Sequence, residues 1–272
     1  LWETLGASSE VWTIGGEGHH VFESLPELNT RRRGYVSNRL VAEDLTDDAA
    51  SRIRSGFIPA LRNASGDFLF ARPAEERLKR IRFLEKTPKN ALRLPFLRAL
   101  FPDARFLVLF RDPRENVSSL MEAWRLGGKR YRAFKSLPDW PAGECWKAGE
   151  WRMLLPPGWQ ELRGRPLVEV AAFQWLKTYS VLLEDLAQLP SDQWCPVCLT
   201  DFLADPEAQV QRLCQFTGLP FDVPLQERVG AALPRSRATL SPPDAEKWHR
   251  DESALAPVLP PLMEMYERLR NL

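Results

Sequence analysis

Phe101-Pro-Asp-Ala-Arg-Phe-Leu-Val-Leu-Phe-Arg111-Asp-Pro-Arg-Glu-Asn116 is the stretch that decides the architecture. An apolar run from Phe106 to Phe110 stops at an arginine, and Asp112-Pro113 then opens a polar helix-start pattern. A short continuous apolar run between turn signals reads as a buried parallel strand. A cation at its carboxyl end stands where open α/β sheets bind their ligands. The same punctuation occurs upstream. Arg82 to Lys86 reads as a short strand ending in lysine, and Thr87-Pro88 follows with a threonine cap and proline at the first helical position. This predicts a helix to Leu100 and one parallel, right-handed strand–helix–strand unit from Arg82 to Phe110. Lys86 and Arg111 then share one crevice with two helix N-termini, which suits a ligand carrying several negative charges. The plainer alternative is two rim cations paired with Glu85 or Asp112.

Composition narrows the class. The chain has 272 residues, 44% apolar and 27% charged, with a formal net charge of +1. That is an ordinary globular composition with no bulk attraction for nucleic acid or an anionic membrane. Arg31 to Arg33 and Lys129 to Arg132 read as solvated basic clusters. No run approaches the ~18 apolar residues that span a bilayer. The four cysteines show no disulfide framework. Cys195-Pro-Val-Cys198 lies in a strand pattern rather than at a helix start, so buried free thiols and a reducing, cytoplasmic setting are expected, without a metal.

Along the chain, residues 1–6 read as a helix tail closing at Gly6, and Glu10 to Ile14 as a short strand before Gly15-Gly16-Glu17-Gly18-His19-His20. Helical spacing runs from about Asp44 to Asn63. Asp112, Pro113 and Glu115 approach a capping box. Residues 125–166 turn irregular and rich in Trp, Pro and Gly, the mark of a lid or binding loop. A helix near Leu167 to Leu189, a strand at Trp194 to Leu199, a helix opened by Asp205-Pro206 and a last helix near Leu255 to Leu269 complete one domain, 1–272. The fold class is α/β.

Phe83-Leu-Glu-Lys-Thr-Pro-Lys-Asn90, Phe101 to Phe106 and Arg111-Asp-Pro-Arg114 together resemble sulfotransferases that use 3′-phosphoadenosine 5′-phosphosulfate, of the bacterial type and more distantly the tyrosylprotein type. Asp205 to Pro220, Thr239 to Pro243 and Lys247-Trp248 extend the resemblance in consistent order. It implies a P-loop-like three-layer sandwich, a central parallel sheet between helices, and no metal. It also implies that Arg111 and Ser119, eight residues on, hold the nucleotide's 3′-phosphate, and that Lys247 adds a further phosphate contact. Lys86 would neutralise the sulfate and the leaving phosphate oxygen. Glu17 would be the general base on the acceptor hydroxyl, with His20 the second choice among the chain's three histidines. The implied partner is a small-molecule or carrier-bound hydroxyl acceptor. The tryptophan-rich 125–166 region is its lid, and its apolar character favours lipid, polyketide or aromatic acceptors.

Two departures stand out. No Pro-Arg-Ser-Gly-Thr-like loop for the 5′-phosphosulfate occurs. The resemblance places that loop and its strand before Leu1, so the first strand of the sheet is expected to be missing from these residues. Restoring about 15–25 preceding residues is then expected to rescue solubility and activity. The family's Tyr-Glu-Asp-Leu is replaced by Leu199-Thr200-Asp201-Phe202. A nucleotide kinase-like phosphotransferase, dependent on magnesium, is the rival enzyme reading. A non-catalytic fragment that binds adenosine 3′,5′-bisphosphate weakly or not at all is the third.

Overall fold

The computed structural model describes residues 1–71, 73, 81–127, 133–235 and 246–272. Lys129 to Arg132 and the Thr239 to Pro243 loop lie outside the described residues. In chain order the elements are α1 (Trp2–Leu5), β1 (Val11–Trp12), α2 (His19–Glu23), α3 (Asp47–Phe57), β2 (Arg82–Phe83), α4 (Leu94–Leu100), β3 (Phe106–Phe110) and α5 (Pro113–Leu126). There follow β4 (Ala133–Phe134), β5 (Trp151–Arg152), α6 (Leu167–Leu186), β6 (Trp194–Cys198), α7 (Leu199–Ala204), α8 (Pro206–Thr217), α9 (Val223–Gly230), α10 (Glu252–Leu255) and α11 (Leu259–Arg270). Helices with parallel strand pairs make this an α/β fold, as expected.

The strands fall into separate pairs. β1 runs parallel to β2, β3 runs parallel to β6, and β4–β5 is an antiparallel hairpin. The expected Arg82–Phe110 unit is therefore not a pair of adjacent strands. Among the described residues β2 and β3 share no ladder, and a cleft of about 870 Å³ lies between them, lined by Phe83, Leu84 and Phe106 to Leu109. Leu109, inside β3, is 42% exposed, although strands of a doubly covered parallel sheet are normally buried on both faces. A strand with one open edge loses the ladder that would extend it. The sequence pattern suggests five residues at both Glu10–Ile14 and Arg82–Lys86, yet each forms only two.

Local chemistry explains other boundaries. The helix expected from Thr87 divides into a 3₁₀ turn, Pro88–Leu92, and α4. Pro95 has no N–H to give the preceding turn, and Arg93 leaves helical geometry at φ −133°. Thr87 does not cap. Its hydroxyl accepts the Gly18 N–H at 2.7 Å and donates to Glu85. Asp112 does cap α5, but through the Arg114 N–H at 2.8 Å rather than in a reciprocal box with Glu115.

The long helix α6 organises the larger half of the core, packing on α5, α11 and α4. Trp124 from α5 and Trp140, Trp146, Trp151 and Trp159 from the irregular segment form one buried aromatic cluster beside it. The buried Gln174 of α6 accepts the Trp124 indole N–H at 2.8 Å. Its amide donates to the carbonyls of Arg152 at 2.9 Å and Leu154 at 2.6 Å. The tryptophans of the expected lid are thus core. They hold the segment in place, and Met153 and Leu154 are what it presents to the cleft. Cys195 and Cys198 are free and belong to different core clusters, so the C-x-x-C spacing makes no pair.

Candidate active site

Glu17 sits in the glycine-lined turn before α2, and Lys86 follows β2. The fold closes a sequence separation of 69, placing Lys86 Nζ 2.7 Å from Glu17 Oε1. The other carboxylate oxygen, Oε2, receives His19 Nε2 at 2.8 Å. Burial would raise this carboxyl, but the His19 hydrogen bond, the largest influence, together with the Lys86 ammonium takes it down to about 2.

The turn is held by its backbone. Gly18 N–H donates to Thr87 Oγ1 at 2.7 Å and to Glu85 Oε1 at 3.2 Å. A Cβ on Gly18 would meet Glu85 Oε1 at 2.9 Å and the Phe57 ring at 3.0 Å, so the close approach needs glycine. Glu85 is deeply placed, and burial raises its carboxyl despite hydrogen bonds from Thr87, Gly18 and Asn90. Both Glu85 and Lys86 line the cleft.

His20, the second choice for a base, is exposed and makes no hydrogen bond among the described residues. Consecutive helix residues point ~100° apart, so with His19 turned to Glu17 its neighbour faces outward. The histidine next to the carboxylate is His19, which sequence reasoning placed only beside its neighbour.

Arg111 follows β3, and burial lowers its pKa against the opposing pull of Glu115, Tyr179 and Asp112. Among the described residues its guanidinium has one long hydrogen bond, 3.5 Å to the Glu115 carbonyl. Tyr179 donates to the Leu109 carbonyl at 3.0 Å, and burial raises its phenol. Tyr179, Asn116 and Leu109 line the cleft on this side, whereas Arg111 is not among its lining residues. Lys86 and Arg111 therefore flank the cleft without touching, and only the lysine lines it directly. Ser119, half-buried on α5, has no hydrogen-bond partner among the described residues. The neighbouring Ser118 is committed to Asp251 at 2.6 Å.

Lys247 reaches α5 at Glu122, one turn beyond Ser119, with Nζ 2.8 Å from Oε2. Arg250 shares that carboxylate at 3.2 Å, and Arg125 binds Asp251 at 3.0 Å. The segment carrying Lys247 is thereby clasped to the helix that carries Ser119. Glu85, Gln174 and Tyr179 escaped the sequence reading because each acquires its role from a contact distant in sequence or from burial, whereas His19 differs from His20 only in the phase of a short helix. Glu85, next to Lys86, and His19, next to His20, stood within quoted motifs.

The architecture is that of an α/β protein in which a lysine, paired to the Glu17 carboxylate, lines a cleft between two parallel strand pairs. Residues 3–158 and 156–223 match the sulfotransferase family, and the chain belongs to it. Two sulfotransferase domains are among the solved structures that are similar. One is the sulfotransferase domain from the curacin biosynthetic pathway, at 15% identity over 94% of this chain and 92% of that one, with a TM-score of 0.43. The other is the sulfotransferase domain from the Synechococcus PCC 7002 olefin synthase, at 17% identity over 92% and 82%, also with a TM-score of 0.43. No curated protein sequence matches the chain. No helix among the described residues is long and apolar enough to cross a membrane.

Proposed function

We propose that the chain transfers a sulfuryl group from 3′-phosphoadenosine 5′-phosphosulfate to a hydroxyl or amine of a small or carrier-bound acceptor. Glu17 takes the acceptor's proton, and the freed oxygen or nitrogen attacks sulfur in line. The bond from sulfur to the 5′-phosphate oxygen breaks, its electron pair stays on that oxygen, and Lys86 offsets the charge. The products are the sulfated acceptor and adenosine 3′,5′-bisphosphate. Such a transfer asks mainly for positioning and electrostatics from the protein, as phosphoryl transfer does. No protein nucleophile is required.

The observation that carries this reading is the Glu17–Lys86 pairing at the end of β2. It puts a proton acceptor and a charge-neutralising cation a hydrogen bond apart beside an open cleft. Arg111 and Ser119 support it from the far side, since a mostly buried guanidinium with one long contact and a hydroxyl without a partner among the described residues suit a phosphate. Lys247 would reach the same anion by leaving Glu122. The apolar cleft wall, with Met153, Leu154 and Trp175, favours an acceptor with an aliphatic or aromatic body. The finer fold reading is a P-loop-like three-layer sandwich. The open facing strands and the exposed Leu109 support it.

Titration calorimetry with adenosine 3′,5′-bisphosphate tests the nucleotide reading. Binding is expected, and Arg111→Ala should weaken it by at least tenfold, since a charge-assisted bond is worth about 1.5–3 kcal/mol. Equal affinity in parent and variant would remove the phosphate assignment. Transfer of labelled sulfur to an alcohol without magnesium would separate this reading from the phosphotransferase.

A further inference from the structure

We propose that His19 is a positioning residue for the transfer reaction: through Nε2 it holds one oxygen of Glu17 in place while Lys86 leaves the other for the donor's sulfate. This rests on the reading of Glu17 as base and Lys86 as the partner of the donor.

The geometry separates the two oxygens. Oε1 belongs to Lys86 at 2.7 Å and Oε2 to His19 at 2.8 Å. While the ammonium sits on Oε1, the lone pair that would accept the acceptor's proton is occupied. The same ammonium is needed at the sulfate and the leaving phosphate oxygen. One contact must therefore open when the donor arrives, and the two partners are unequally free. Lys86 carries its charge on a four-carbon stem with its side chain 44% exposed. His19 is the first residue of α2, one position after Gly18, whose N–H is bound to Thr87 and Glu85 and whose carbonyl accepts the Val21 N–H at 3.0 Å. The imidazole is thus fixed close to its backbone anchor.

The proton bookkeeping is consistent. An ionised carboxylate only accepts, so Nε2 carries the hydrogen toward Glu17. Nδ1 is buried without a partner among the described residues, so the Glu17 contact is the ring's single hydrogen bond. The other charged groups around the carboxylate are Lys86 itself and Lys89, while the half-buried Glu85 faces His19. Departure of Lys86 exposes Oε1 on the side where the sulfate lies and removes one of the two influences that make Glu17 a weak base. Proton transfer then goes from the acceptor to Oε1, while the His19 hydrogen stays on Nε2. The carboxylate becomes a competent base only with donor in place.

Carboxyl-detected ¹³C NMR of the chain, with Glu17 assigned by Glu17→Gln, tests this without an acceptor. His19→Phe is expected to raise the proton affinity of Glu17 at least tenfold, and His19→Gln, which keeps an N–H donor, to recover part of the difference. Adding 3′-phosphoadenosine 5′-phosphosulfate to the parent should also raise the affinity, as Lys86→Met does without donor. Far-UV circular dichroism checks that each variant is folded, and His19→Gln carries the test if His19→Phe is not. An unchanged Glu17 titration in both folded His19 variants overturns the proposal. Donor that fails to bind, with the His19 effect intact, overturns the transferase reading and with it any role in transfer.

Discussion

Gln174→Leu is the sharpest test of how the cleft wall is held. The substitution keeps most of the volume and removes every hydrogen bond that joins α6 to Trp124, Arg152 and Leu154. The losses are unequal. The Leu154 carbonyl keeps a bond from Trp151 Nε1 at 2.7 Å, whereas the Trp124 indole loses its acceptor inside a core where Trp124 is 0% exposed. Each orphaned buried group costs about 1–3 kcal/mol, so with the Trp124 indole and the Arg152 carbonyl losing this partner and the Leu154 carbonyl losing one of two, we expect about 2–4 kcal/mol. At about 2–4 °C per kcal/mol for a domain of this size, the melting temperature should fall by about 5–15 °C. Gln174→Ala adds a cavity and should cost about 1–2 kcal/mol more. Differential scanning calorimetry measures both, and near-ultraviolet circular dichroism reports the tryptophan cluster. A Gln174→Leu protein within about 0.5 kcal/mol of the parent, the range of neutral surface changes, would refute the role given to this bridge.

Other consequences follow from burial and charge. Burial opposes ionisation of Asp251, but hydrogen bonds from Ser118, Arg125 and Arg250 hold its carboxyl below 3.8. A depressed native pKa stabilises above the unfolded value and that contribution is lost as pH falls. Asp251→Asn should therefore cost about 1 kcal/mol near neutrality and nothing at low pH, as melts across that range will show; a constant gap would contradict the linkage. Glu85 has the opposite sign. Burial raises its carboxyl above 4.5, so its contribution is complete below the unfolded value and is lost as pH rises through the native one. Glu85→Gln should gain on the parent as pH increases, and a reversed trend in chemical denaturation would count against that burial. The weaker adenosine 3′,5′-bisphosphate binding of Arg111→Ala is the companion prediction for the nucleotide side.

Much of the candidate site was legible because local rules govern it. An apolar run that stops at arginine, with Asp-Pro behind it, specifies a strand, a rim cation and a capped helix within a few residues, and β3, Arg111 and α5 stand where that pattern predicts. Lys86 was marked the same way. The histidines show where local reading stops. His19 and His20 are adjacent and chemically identical, and only the phase of α2 turns one toward Glu17 and the other to solvent. The tryptophans mislead for a related reason. A residue that reads as a binding face can as readily fill a core, and the outcome depends on what α6 offers it, here the amide of Gln174.

Residue type and spacing alone determined the α/β class, the arginine that follows β3, the carboxylate in its glycine turn and the aspartate caps of α5 and α8, since each depends on neighbours a turn or less away. Tertiary structure alone decided that Glu17 meets Lys86 and His19, that β3 pairs with β6 rather than β2, and that an apolar cleft separates the strand pairs. Apart from the local Glu17–His19 contact, which the phase of α2 sets, those are contacts between segments tens of residues apart. They are selected by how the whole chain buries its apolar surface and satisfies its polar groups, a balance that no single stretch contains.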